Sequence, residues 1–153
     1  MHCQILADNP NATSTIASWY YHQWGHLSAD RTLETVQSSL SDYLNRDTLP
    51  LILMLCRDDE PVAVAQLRFQ ENPDYPKDSH WLGGVFVKQS ERGKRLGNKI
   101  IQLAIEKART MNITTLYLQT ESHNIKLYRQ QGWQQIDTQD NHGITISIMV
   151  NQL

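Results

Sequence analysis

The apolar positions of this chain change period near Pro50. Before it, residues 12–24 carry Ile16, Trp19, Tyr20 and Trp24 at spacings of three and four. Residues 31–44 carry Leu33, Val36, Leu40, Tyr43 and Leu44 in the same rhythm. This predicts two amphipathic helices, and the first fifty residues read as helical. Ser28 or Asp30 stands where a cap for the second helix is needed. After Pro50, residues 51–56 are a continuous apolar run of strand length. Arg57-Asp58-Asp59-Glu60 is a turn, and 61–69 resumes with Val62, Val64 and Leu67, so 51–69 reads as a hairpin. Residues 70–80 are a polar loop held by Pro73 and Pro76, long enough to have a task at the sheet edge.

Residues 81–87 form the next strand, interrupted by Gly83-Gly84. Two glycines weaken a strand and mark a bulge or a close approach by something bound. A helix over 95–110 presents Leu96, Ile100, Leu103, Ala104 and Ala108 on one side. A strand over 114–119 follows, then a short helix from Ser122 or His123 to Gln130, stopped by Gly132. Residues 133–138 and 143–150 close the chain as an antiparallel pair. The order αα-ββ-β-α-β-α-ββ predicts an α/β (α+β) architecture with a mixed sheet and helices on its faces. Its parallel strands would be those joined by the helix over 95–110. The 153 residues suffice for one domain, 1–153.

Composition narrows the partners. The formal net charge of -2 argues against a general nucleic-acid binder. No stretch approaches the roughly 18 apolar residues of a membrane span. His2, Cys3, Asp8 and Asn9 interrupt any signal-peptide pattern at the N-terminus. Cys3 and Cys56 form neither a disulfide framework nor a metal site, so cytoplasm is the expected compartment. His22 and His26 stand four apart, but Gly25 lies between them and nothing completes a ligand set, so no metal is expected.

The chemistry concentrates after residue 87. Between Lys88 and Lys99 stand five basic residues against one acidic residue, Glu91, with glycines at 93 and 97. The unpaired N–H groups of a helix start attract anions, and phosphate above all. Several cations there make sense if an anion lies between them and the helix dipole. The turn lacks the pattern of a nucleoside triphosphatase loop, since Asn98 and Lys99 follow Gly97. It also lacks the dinucleotide-binding G-x-G-x-x-G.

Arg92-Gly93-Lys94-Arg95-Leu96-Gly97 resembles the coenzyme site of the GNAT superfamily of N-acetyltransferases, Q/R-x-x-G-x-G/A, with Arg95 where a glycine is usual. Asn124-Ile125-Lys126-Leu127-Tyr128-Arg129-Gln130-Gln131-Gly132-Trp133 resembles a second family segment, with Trp133 for the aromatic after glycine. The resemblance spans roughly residues 50–150. It implies a mostly antiparallel sheet of six to seven strands, splayed between two central parallel strands and flanked by about four helices. It implies acetyl-CoA as acetyl donor, with its pyrophosphate on residues 92–97 and its pantetheine arm along Val85, Phe86 and Val87. Asn124 would contact the coenzyme side or order its helix. Tyr128 would be the general acid near the sulfur, and Gly83-Gly84 the bulge whose N–H groups polarise the thioester.

The resemblance also implies a base, which many members carry as a glutamate on the strand matching 81–87; this chain has no carboxylate there. The substitutes are His80, Asp78, Glu71 and Glu121, of which His80 has the most suitable ordinary pKa. His80 and Glu121 therefore join Tyr128 as catalytic candidates. The missing strand carboxylate leaves open a second reading, a catalytically weak acyl-CoA-binding or sensor protein. Trp19, His22, Trp24 and Gly83 are the candidate acceptor contacts, for a small-molecule or peptide amine. Family members often pair through sheet edges or C-terminal strands, so a homodimer is possible.

Overall fold

The computed structural model describes residues 1–153. Strand β1 is His2–Ile5, β2 is Leu51–Arg57, β3 is Glu60–Phe69 and β4 is His80–Val87. Strands β5 (Thr115–Glu121), β6 (Gln134–Asn141) and β7 (Ile144–Gln152) follow. They make one seven-stranded sheet in the order β1-β2-β3-β4-β5-β7-β6. Only β4 and β5 run parallel; every other neighbour pair is antiparallel. The helices are α1 (Thr13–Trp24), α2 (Leu33–Ser39), α3 (Leu96–Thr110) and α4 (Ile125–Arg129).

The all-helical reading of the first fifty residues fails at residues 2–5. They pair with residues 53–56 of β2, whose outer edge would otherwise leave its backbone groups unpaired. The second helix is also shorter than its periodicity predicts, because the chain tightens into a 3-10 turn at Leu40–Tyr43. Its cap is Thr32, not Ser28 or Asp30. The Thr32 hydroxyl accepts the Thr35 N–H at 3.1 Å, and the Thr35 hydroxyl accepts the Thr32 N–H at 2.9 Å.

Two cores sit on opposite faces of the sheet. Strands β2 and β3 alternate between them, which explains their near-continuous apolar runs. On one face, Leu53, Leu55, Ala65 and Leu67 pack under α3, which buries Leu96, Ile100, Ile101, Ala104, Ile105 and Ala108. On the other, Ile52, Met54 and Val64 meet Ile16, Ala17 and Tyr20 of α1 and Val36 and Leu40 near α2. Each fully buried aliphatic side chain contributes about 1.5–3 kcal/mol.

The sheet parts at its centre. Parallel strands β4 and β5 share a single bridge, between Trp81 and Tyr117 near their starts. Beyond it they diverge, and the facing backbone of their C-terminal halves has no partner across the gap. On its other side, β4 changes register against β3: Gly83 faces Gln66, but Phe86 faces Val64. Gly84 (φ 54) is the extra residue of this bulge.

Candidate active site

Two features meet where the sheet parts: a cradle at the start of α3 and a carboxylate over β4. The cradle begins with a short 3-10 turn at Gln89–Glu91. Gly93 (φ 83) has open space around it, and Arg95 (φ 62) takes the left-handed conformation immediately before α3. No side chain caps that helix, so the N–H groups of its first turn point outward. Val87, Arg92, Gly93, Arg95, Leu96, Gly97, Asn98 and Leu127 line a hollow of about 320 Å³ around them. Arg95 thus holds, with a side chain, a backbone shape that favours glycine. For a residue with a Cβ, that shape costs about 1–2 kcal/mol. Arg95→Gly is expected to leave stability equal or raise it by up to about 1 kcal/mol, since glycine's extra unfolded-state entropy offsets part of the relief. Chemical denaturation at constant m-value reads this.

Several of the basic side chains here are already engaged. Lys94 and Arg57 both bind the Glu91 carboxylate, at 3.0 and 3.1 Å, and their contacts keep its pKa below the ordinary carboxylate value. Arg92 donates from Nε to the Val87 carbonyl at 3.0 Å, and its guanidinium lies 5.2 Å from the centre of the Phe86 ring. Val85 and Val87 face the α3 side and are partly buried against that core. Phe86 faces α1, stacked on Trp19 with ring centres 5.3 Å apart.

The second feature comes from the loop over residues 70–79. Asn72 donates to the side-chain carbonyls of Gln119 (3.1 Å) and Gln139 (2.8 Å), tying the loop to β5 and β6. Tyr75 packs against Trp81 and Tyr117, the residues of the single parallel bridge. So fastened, the loop lays Glu71 across β4. A Cβ added to Gly83 would lie 2.7 Å from Glu71 Oε1, so the missing side chain of Gly83 makes room for this carboxylate. Burial raises the Glu71 pKa to about 7, with the charge of Arg68 opposing the shift.

Tyr128 of α4 lies in the core on the α3 side of the sheet, within reach of the Glu71 charge. Its ring is buried against Trp133, and its pKa is pushed up to about 12 by burial first and by the Glu71 charge second. Tyr20 of α1 donates its hydroxyl to the Gly84 carbonyl at 2.7 Å, and burial raises its pKa too. The two glycines of β4 therefore serve two neighbours, Glu71 and Tyr20, on one face of the sheet.

Sequence reasoning put His80 and Glu121 ahead of Glu71. The register sets His80 opposite Phe69, with their rings 5.5 Å apart, so alternation places it on the other face from Gly83. Glu121 ends β5 in the open, 3.6 Å from His123 Nδ1. Asp78 is an exposed loop residue. Asn124 precedes α4, and its side chain caps nothing. Of the aromatic candidates, Trp19 and His22 line a cleft of about 770 Å³ with Phe86, Lys88 and Arg92. Trp24 instead packs on Tyr20 and Phe86. That cleft adjoins the cradle, not Glu71. The signal that could have favoured Glu71 was a carboxylate in a long proline-held loop just before a strand containing two adjacent glycines.

The fold is shared with solved acetyltransferases. An aminoglycoside 6'-N-acetyltransferase complexed with coenzyme A superposes with a TM-score of 0.79 at 12% identity, covering 99% of this chain and 97% of that one. A ribosomal-protein-alanine N-acetyltransferase from Brucella melitensis gives 0.78 at 20% identity, with all of both chains covered. An aminoglycoside 6'-acetyltransferase type Ii gives 0.76 at 14% identity, covering 99% and 97%. No curated protein matches this chain in sequence. The family model for the acetyltransferase (GNAT) family matches residues 13–133, and with that match over most of its length the chain belongs to this family.

Proposed function

We propose that residues 1–153 act as one domain that moves an acetyl group from acetyl-CoA to a primary amine by direct attack. The observation that carries this reading is Glu71 laid over Gly83 where β4 and β5 diverge, with an uncapped anion cradle beyond the end of β4. The residues present fit the coenzyme. The outward N–H groups of α3 and the cations around them suit a pyrophosphate, and the unpaired edge of β4 suits the amides of an extended arm. When bound, acetyl-CoA supplies a thioester whose sulfur is a good leaving group.

Glu71 receives the proton of the incoming ammonium, for which a carboxylate poised near neutral pH is well matched. The neutral amine nitrogen would then bond to the acetyl carbon as the carbon–sulfur bond breaks with its electron pair on sulfur. The second proton of that nitrogen would pass to the thiolate, so that an amide and a free thiol leave. Tyr128 donates a hydrogen bond to that developing thiolate. With a pKa near 12, it gives up its proton less readily than a thiol of ordinary pKa near 8.5, so its contribution is the hydrogen bond. Tyr20 holds the Gly84 carbonyl, which fixes the bulge and with it the direction of the neighbouring N–H groups.

The test pairs binding with turnover. Calorimetry should detect coenzyme A binding to the wild-type protein. Tyr128→Phe should keep that affinity and lower kcat by about 10–100-fold, the weight of one hydrogen bond to a charged group. No heat and no thermal shift with either acetyl-CoA or coenzyme A would end this reading. Binding without turnover on any amine would favour the sensor reading, which the absence of a carboxylate on β4 itself still motivates.

A further inference from the structure

Arg68 has no partner. It projects from β3 on the same face as Val64 and Gln66, the face covered by α1 and α2. Its Nε is buried without a hydrogen bond, and it joins none of the chain's ion pairs. Glu71 lies on that face too and is equally unpaired. The two are near enough for Arg68 to draw the Glu71 proton affinity down, yet too far apart to bond. Tyr43, from the 3-10 turn after α2, feels both charges, so its phenol borders the same space.

Opposite charges that share one face of the sheet without meeting leave both ends of a dipolar ligand unanswered. A buried guanidinium nitrogen with no acceptor is costly, and its natural complement is a planar carboxylate gripped by two parallel N–H bonds. Resting on the acetyl-transfer reading above, we propose that the acceptor is a free amino acid, its carboxylate held by Arg68 while its amine faces Glu71. A polyamine or aminosugar would bring a second cation toward Arg68, which disfavours it.

The experiment follows thiol release from acetyl-CoA with the twenty common L-amino acids and, separately, with their amides. The free acids are expected to give kcat/KM at least about 30-fold above the amides, the effect of one buried charge-assisted contact. Arg68→Met should erase that preference by raising KM for the acids far more than for the amides. The two proteins are compared at a pH high enough to ionise Glu71 in both, because loss of the Arg68 charge also raises the Glu71 proton affinity for every substrate. Arg68→Lys should restore part of the preference. Equal use of acids and amides, or a preference that survives in Arg68→Met, overturns the proposal. If neither set is acetylated, calorimetry of the amino acids in the presence of coenzyme A decides. Heat with wild type and none with Arg68→Met supports the carboxylate site even though acetyl transfer has failed, and no heat with either overturns it.

Discussion

Replacing Glu71 by glutamine should lower kcat/KM for amine acetylation by roughly 10²–10⁴-fold, the usual weight of a positioned general base. Affinity for coenzyme A should not change, because the cradle lies at the other end of β4. In the wild type, kcat/KM should climb with pH and level off above about 7, where the Glu71 carboxylate is ionised. The glutamine variant should lose that limb. If the variant keeps both its rate and its pH profile, the base is elsewhere, and His80 and Glu121 return as candidates.

The same substitution carries a stability signature of fixed sign. The Glu71 pKa is about 7 in the folded protein, against an ordinary value of 4.5. Between those values the folded chain holds a proton that the unfolded chain releases. Stability therefore falls as pH rises through that window, and the full penalty stands above about 7. A shift of this size corresponds to a cost on the order of 3 kcal/mol. Glu71→Gln should melt at a higher temperature than wild type at about pH 8, with the advantage gone at about pH 4. A gain in stability with a loss of rate is what a strained catalytic group produces, and a merely structural glutamate would not show it.

The second large effect concerns the adjacent glycines of β4, which should respond oppositely to added bulk. Gly84→Val should destabilise the fold by roughly 3–5 kcal/mol, from left-handed backbone strain plus overpacking. A Cβ there would stand 2.6 Å from Tyr20 Oη and 2.7 Å from Gln66, and would disrupt the bond that holds the bulge. For a chain of this length the melting temperature should drop by roughly 10 °C or more. Gly83→Ala meets only the far end of a side chain, Glu71 Oε1. It should fold nearly as well as wild type, bind coenzyme A, and lose most of its rate because the carboxylate is displaced. Equal melting temperatures for the two variants would show that the bulge is not the rigid element assumed here.

The cradle was legible in the sequence because its chemistry is local. Strand, glycine turn, cations and helix start lie within residues 81–97, and each is read from its own neighbours. The two-period pattern before and after Pro50 likewise announced helices followed by a sheet. Strand β1 was not legible. Its four residues carry no pattern of their own and become a strand only because β2 offers an edge. The place of Glu71 over β4 was not legible for a similar reason. Its position depends on Asn72 reaching Gln119 and Gln139, partners 47 and 67 residues away, and no local signal records such a path. His80 stood out by its ordinary pKa, but the period of two in β4 turns it to the face opposite Gly83 and Glu71.

The lone bridge between Trp81 and Tyr117 leaves two plates of sheet joined at one end, like a book held by the foot of its spine. A guest whose amides supply the missing rungs becomes part of the secondary structure it visits. Its departure would then reopen a seam through the middle of the molecule, and the amount of free coenzyme around the protein would help determine how long each copy stays folded.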